Sequence, residues 1–318
     1  MSIHPYPGEE QRERELDALA ARAGASVITI GASVEGRPIR MARVPAADPT
    51  VKASVLVVGN IHGVEWIGSR VAMGVLRACG ERTSGAASLL QRAHVLVLPC
   101  MNVDGYARTE RQDGQGTWKQ LRCNAHGVDL NRNFPMPHGA KPSWMTIAGS
   151  SDPARSTWRG EAPLSEPEAR AVAEMVERER PHASVSYHSF MGTLIPPKVL
   201  RSSDVESYRA LCRAYRSGQT GPRYPRLQNR FVDVFTGELE DHLHHRTGCW
   251  ALTVEIFPLA RTFAQHLRAP AVFWRFNPHN EGPWVDNEVG GTLAFFDAAL
   301  SQPRPRSQSA VRPAEVGS

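Results

Sequence analysis

SVLVVGNIHGVEW, residues 54–66, decides the reading of the fold. Residues 54–59 form an unbroken valine-rich run closed by glycine, the pattern of a strand buried on both faces. A helical stretch begins near Trp66, so the segment reads as strand, short turn, helix. In the turn stand His62 and Glu65, two metal-competent side chains three positions apart. The flanking glycines, Gly59 and Gly63, are expected to let backbone and metal come close.

Three more runs share the strand pattern: HVLVLP (94–99), ASVSYHSF (183–190) and CWALTVEIF (249–257). Helical patterns cover 8–22, about 165–180, about 203–217 and 286–300. The second opens on Ser165-Glu166-Pro167-Glu168, where serine and Glu168 are expected to form a capping box and Pro167 suits the first turn. Residues 26–44 carry two shorter strand-like runs around a glycine-containing turn, an expected antiparallel hairpin at one sheet edge. Strands alternating with helices predict an α/β fold: a single domain whose mixed, mostly parallel twisted sheet has helices on both faces. That domain is expected over residues 1–300, with a disordered tail at 301–318. Residues 136–163, rich in Pro, Gly and Ser, read as a long loop of the kind that is functional or disordered.

Composition narrows the function classes. The 318 residues are 41% apolar and 22% charged, as in ordinary globular proteins. A net charge of +5 is a mild bias with no clustered basic patch, which argues against nucleic acid as a partner. No apolar stretch is long enough to span a bilayer, so no membrane partner is expected. The N-terminus lacks the basic start and apolar core of a secretory signal, which makes the cytoplasm the expected compartment. Five scattered cysteines without a CxxC pair read as reduced core thiols.

The chemistry-bearing residues cluster where strands end. His62 and Glu65 follow the first strand, His188 closes the third and Glu255 lies near the end of the fourth. Ligands of open α/β sheets bind at the carboxyl ends of strands. Two histidines and a carboxylate form a catalytic zinc set with a position left for water. Glu255, flanked by Val254 and Ile256, is the candidate to move a proton. LRCNAHGVDLNRNFP (121–135) adds Arg122, Asn131, Arg132 and Asn133. One arginine there can fork onto a substrate carboxylate and another can stabilise an oxyanion.

HGVE, GVDLNRNF, SEPE, SYHS and TVEIF stand in the order found in zinc carboxypeptidases of the carboxypeptidase A/B type, which this sequence resembles from about residue 34 to 257. The helix at 286–300 fits that family's last helix. The resemblance implies a metallocarboxypeptidase that uses Zn²⁺ and acts on a peptide or murein peptide with a free terminal carboxylate. It implies that His62, Glu65 and His188 hold the metal and that Asn131 and Arg132 bind the carboxylate. Arg122 then polarises the scissile carbonyl, and Glu255 is general base and then general acid.

The sequence also departs from the family. Asn-Pro-Asp-Gly becomes Asn102-Val103-Asp104-Gly105, which is expected to loosen that turn. Trp118 is followed by Lys119 where digestive members have arginine. Arg122 matches instead the Arg-x-Asn-x-x-Gly-Val-Asp motif of a bacterial subgroup that includes murein-peptide amidases; Lys119 is the second candidate. The tyrosine about twenty residues before the catalytic glutamate is missing, the nearest upstream being Tyr224. The same stretch carries Glu238, Glu240 and Asp241, and Glu240 or a neighbour is expected to favour a basic side chain. His242, His244 and His245 read as exposed loop residues without a site role. Asp129 and Asn133 read as braces of the arginine loop, Trp66 as packing beside the zinc loop, and Ser189 as a strand-end residue able to back the site. Two other functions stay open: a small-molecule deacylase of the aspartoacylase/succinylglutamate-desuccinylase kind, and a non-catalytic peptide-binding module.

Overall fold

The valine-rich runs do form the centre of a sheet. The computed structural model describes residues 2–227 and 234–307. Its seven strands are β1 (Ser26–Ala32), β2 (Pro38–Val44), β3 (Ser54–Val58), β4 (His94–Leu98), β5 (Ala183–Ser189), β6 (Thr193–Ile195) and β7 (Trp250–Ile256), in the order β1-β2-β4-β3-β5-β7-β6. β4, β3, β5 and β7 run parallel. β2 joins β4 antiparallel and β1 pairs antiparallel with β2, the expected edge hairpin. The three-residue β6, too short to show a pattern in the sequence, closes the other edge antiparallel to β7.

Alternation along the parallel strands feeds two cores. Val55, Val57, Val95, Val97, Val185 and Leu252 point to one face, where α1 (Glu9–Ala23), α2 (Trp66–Gly80), α3 (Ser84–Leu90), α7 (Ser202–Gly218) and α11 (Gly282–Leu300) pack. Leu56, Val58, Leu96, Leu98 and Ala251 point to the other face, covered by residues of α4 (Val103–Arg111), α5 (Trp118–Arg122), α6 (Pro167–Glu179), α8 (Leu239–His242) and α10 (Phe273–Phe276). Helix α9 (Leu259–Arg268) follows the end of β7. The five cysteines are buried free thiols: Cys79 and Cys212 in the first core, Cys100 and Cys249 in the second, and Cys123 one residue past Arg122. No helix among the described residues is long and apolar enough to cross a membrane.

Several local expectations are corrected. Helix α6 starts on Pro167, but its cap residue is Glu166 and no side-chain capping bond forms. Ser165 donates to Glu166 (2.8 Å), and Glu168 accepts from Val34 N–H and from Asn124. The glutamates of SEPE are thus used by distant loops. The Asn102–Gly105 turn is held without its proline, because Asn102 accepts from Gly105 N–H (2.9 Å) and starts α4. The close approaches of Gly59 and Gly63 are to backbone: a Cβ on Gly63 would lie 2.7 Å from Gly105, and one on Gly59 2.7 Å from the carbonyls of Gly68 and Pro99. Of the expected tail, residues 301–307 lie along the sheet end. There Trp250 donates to the Pro303 carbonyl (3.1 Å) and Arg304 to the Pro181 carbonyl (2.9 Å). Residues 308–318 lie outside the described residues.

Candidate metal centre and active site

Because β3, β5 and β7 are neighbours running the same way, their carboxyl ends bring His62, Glu65, His188 and Glu255 to one place. His188 and Glu255 are register partners. The ligand-capable atoms of His62, Glu65 and His188 all lie within 4.8 Å of one another, and all three residues are buried. Glu65 is the last residue before α2, so strand end and helix start hold the pair between them.

The details are those of a cation site. His62 Nδ1 lies 2.9 Å from Glu65 Oε1, and His188 Nδ1 lies 3.0 Å from Glu65 Oε2. The two Nδ1 atoms are 3.1 Å apart, so at most one carries a proton. The far nitrogen of His62, Nε2, meets Asp129 Oδ1 at 3.2 Å, which favours a proton there and turns the Nδ1 lone pair toward the cluster. Burial alone would raise the Glu65 carboxyl, but His62 and His188 outweigh it and hold it below the usual range. For His62, burial and Arg122 oppose protonation, while Glu65 and Asp129 outweigh them and lift its pKa. Two imidazoles and one carboxylate with their ligand-capable atoms this close together fit a zinc ion.

Glu255 stands opposite. Burial, reinforced by the Glu65 charge, pushes its carboxyl up to about 8, and its Oε2 is buried without a hydrogen-bond partner. Arg122, at the end of α5, is clamped by Asp129: Nε at 2.9 Å and Nη2 at 2.8 Å from Oδ2. Its Nη1 reaches to 3.3 Å from His62 Nδ1, and its guanidinium lies 5.4 Å from the Trp118 ring centre. Lys119 instead donates to the Pro153 carbonyl. Asp129, read from the sequence as a brace, is therefore the hinge of the site, joining Arg122, His62 and, through Asn131 N–H (3.0 Å), the arginine loop. Asn133 ties that loop to Ala162 and Ser165.

These groups face a cavity of about 550 Å³ whose lining includes all three ligand-capable residues, Arg122, Asn131, Arg132 and Glu255. Ser189 lines it as well. So do Ile147 and Thr157 of the 136–163 loop, Glu238 of the acidic stretch, and Phe276, which no motif marked. Glu240 is not on that lining. It is buried beside Ser186, whose hydroxyl donates to it, and its Oε2 has no partner. Ser186 pairs in register with the cavity-lining Thr253. A larger hollow of about 890 Å³, lined by Pro135, Leu164, Glu174 and His242 among others, shares no residue with the site.

His242, His244 and His245 are buried, contrary to the exposed-loop expectation. Burial pushes His242 and His245 down to about 4, which keeps them neutral. Tyr208 bonds His244 (3.0 Å), and His245 bonds the Lys198 carbonyl (2.8 Å). Tyr224 is a core residue whose hydroxyl accepts from Phe257 N–H (3.1 Å). Trp66 stacks on Tyr106 at 3.8 Å and donates to the Gly63 carbonyl, beside the ligand loop as expected.

Comparison with known proteins places this geometry. The family model for zinc carboxypeptidases matches residues 13–266. Mouse carboxypeptidase A6 is 29% identical over 192 residues, 57% of this chain and 42% of the relative. The inactive metallocarboxypeptidase ECM14 of Blastomyces gilchristii is 28% identical over 215 residues, 64% of this chain and 33% of that one. The chain thus matches less than half the length of these relatives. A crystal structure of thrombin-activatable fibrinolysis inhibitor superposes with a TM-score of 0.74 at 20% identity, covering 93% of this chain and 77% of that one, which is a likeness of fold. With the family model spanning most of the sequence and both of its ligand motifs, the chain belongs to the zinc carboxypeptidase family.

Proposed function

We propose that the protein is a zinc-dependent exopeptidase or amidase that releases a residue with a free carboxylate. One observation supports this above the rest: the His62–Glu65–His188 cluster, Glu255 and Arg122 open onto the same cavity. Zinc held by those three residues would act as a Lewis acid, lowering the pKa of water toward neutrality.

The chain's own residues do the remaining work. Glu255 takes a proton from the attacking water and returns it to the leaving nitrogen. Arg122, its charge already balanced by Asp129, donates to the scissile carbonyl oxygen as negative charge develops there. Asn131 and Arg132 hold the terminal carboxylate and so fix which bond lies under attack. Arg122→Ala is expected to lower kcat by about 100-fold while KM changes little, measured on the best substrate. A large rise in KM with constant kcat would move Arg122 to substrate binding instead.

Glu240 is assigned to the departing side chain. A buried carboxyl group with an unpartnered oxygen, bonded to Ser186, the register partner of the cavity-lining Thr253, suits a basic group such as arginine, lysine or the amine of diaminopimelate. Peptides ending in Arg or Lys should then outpace those ending in Phe; equal rates would remove this assignment.

The deciding experiment is turnover by zinc-loaded protein of peptides ending in Arg, Lys, Phe or Glu, a γ-D-glutamyl-diaminopimelate murein peptide, and N-acyl amino acids, read by mass spectrometry. Loss of one terminal residue, abolished by chelator and restored by zinc, is the expected result. Cleavage of N-acyl amino acids alone would make the protein a deacylase, and silence across the panel would make it a binding module.

A further inference from the structure

The hollow of about 890 Å³ shares no residue with the site but begins at Pro135, where the arginine loop ends. Residues 135–138, helix α6 and the turn that follows α8 enclose it. Its size suits a small organic ligand. Met136, Pro137, Leu164 and Ala173 give it apolar surface. Its charges do not balance: the lining carries three carboxylates, of Glu174, Glu177 and Asp241, and one guanidinium, of Arg246. Arg246 is engaged by Glu177 at 2.7 Å. Glu174 is exposed and has no ion pair among the described residues. Excess negative charge beside apolar surface favours a cation carried on an apolar stem.

His242 adds a hydrogen-bonding group to the hollow. It is on the lining and only 6% exposed. Tyr208 bonds His244 and the Lys198 carbonyl bonds His245, but the His242 ring has no hydrogen bond among the described residues. The charges that act on the ring are those of Glu177 and Arg246, both on the walls of the hollow. Its Nε2 is sealed in protein without a partner, which leaves Nδ1 as the nitrogen open to a ligand. A neutral imidazole can accept there from an N–H group. A ring without any partner in the interior costs free energy, part of which such a bond recovers.

We propose that this hollow is a second binding site, for a small organic cation: an alkylammonium or alkylguanidinium whose head is received by Glu174, Glu177 and His242 and whose stem covers Met136, Pro137 and Leu164. A free amine and the basic side chain of a peptide share that chemistry. The site stands whether or not the proposed reaction does, because no residue of the reaction lines it.

The test follows carbon-13 methyl-labelled methionines by NMR in the zinc-loaded protein. Met136 lines the hollow and Met191 lines the site cavity, so the two report separately. Met136→Leu and Met191→Leu assign their signals. The probes are hexylammonium, N-acetyl-lysinamide, hexanol and hexanoate. Hexylammonium should move the Met136 signal saturably, with a dissociation constant on the order of 1 mM, and leave Met191 in place. Hexanol and hexanoate should bind about tenfold more weakly or worse. Salt at about 0.5 M should weaken hexylammonium severalfold and leave hexanol unchanged. Glu174→Gln should weaken hexylammonium about threefold and His242→Phe about fivefold. Neither variant loses an internal hydrogen bond of its side chain, so both should keep the wild-type Tm. Tighter binding of N-acetyl-lysinamide than of hexylammonium assigns the hollow to a basic side chain of a peptide, and the reverse order to a free amine. Hexanoate bound as well as hexylammonium, a shift at Met191 alone, a Met136 signal that no probe moves, or unchanged affinity in both variants would overturn the inference.

Discussion

Glu255→Gln should lower kcat by about 10³-fold with zinc content and KM nearly unchanged, while making the metal-free protein more stable in mild alkali. The two effects have one origin. Glu255 sits where burial and the Glu65 charge push its carboxyl to about 8, far above the 4.5 of an exposed glutamate. Between these values the folded protein binds a proton that the unfolded chain has released, so stability falls as pH rises from about 4.5 to about 8. Glutamine carries no charge and escapes that loss. Its advantage, up to about 5 kcal/mol, should be full above pH 8 and absent below pH 4.5 in denaturant titrations of the metal-free protein. Zinc held by His62, Glu65 and His188 would offset the Glu65 charge, so the gain should shrink in the loaded protein. A variant with wild-type kcat would remove Glu255 from proton transfer; a variant with no alkaline gain would remove the account of its environment.

Asp129→Ala carries the second large effect, although Asp129 is neither a metal ligand nor assigned to substrate. Its carboxylate is fully buried, yet the neighbouring Arg122 and His62 hold it well below the usual carboxylate range against the effect of burial. Removing it leaves the Arg122 cation without its counter-charge and frees the His62 ring to turn. Stability should drop by about 3 kcal/mol, and metal affinity by about 10- to 100-fold, measured by denaturation and by competition with a chromophoric chelator. Asp129→Asn should keep much of the fold but still weaken metal binding and kcat, because the charge that orients His62 is gone. If metal affinity were unchanged in Asp129→Asn, the His62–Asp129 contact would be packing only.

The central sheet and the His62–Glu65–His188 cluster were legible because both depend on local signals. A five-residue valine-rich strand buried on both faces has few alternatives, and three such strands ending in His62, Glu65, His188 and Glu255 announce a shared edge. What stayed hidden depends on partners far away in sequence. β6 has three residues and exists because β7 offers it an edge. The SEPE glutamates look like a capping box, but Asn124 and Val34 claim them across 42 and 134 positions. The histidines 242, 244 and 245 look like a polar loop, while Tyr208 and the Lys198 carbonyl give two of them buried partners. Asp129 showed only as a brace, since its ties to Arg122 and His62 appear once β3 and the arginine loop are folded together.

The five buried thiols give the molecule its own opening clock. Burial pushes Cys79, Cys100, Cys123 and Cys212 up to about 12. At pH 8 only about one in 10⁴ of each is thiolate while folded, so an alkylating pulse marks chains that have opened. Cys79 and Cys212 lie in one core and Cys100 in the other, whereas Cys123 adjoins Arg122. Peptide-resolved labelling would therefore time the loosening of the arginine loop separately from the opening of the sheet. The ratio of the Cys123 rate to the Cys79 rate measures how far that loop breathes on its own.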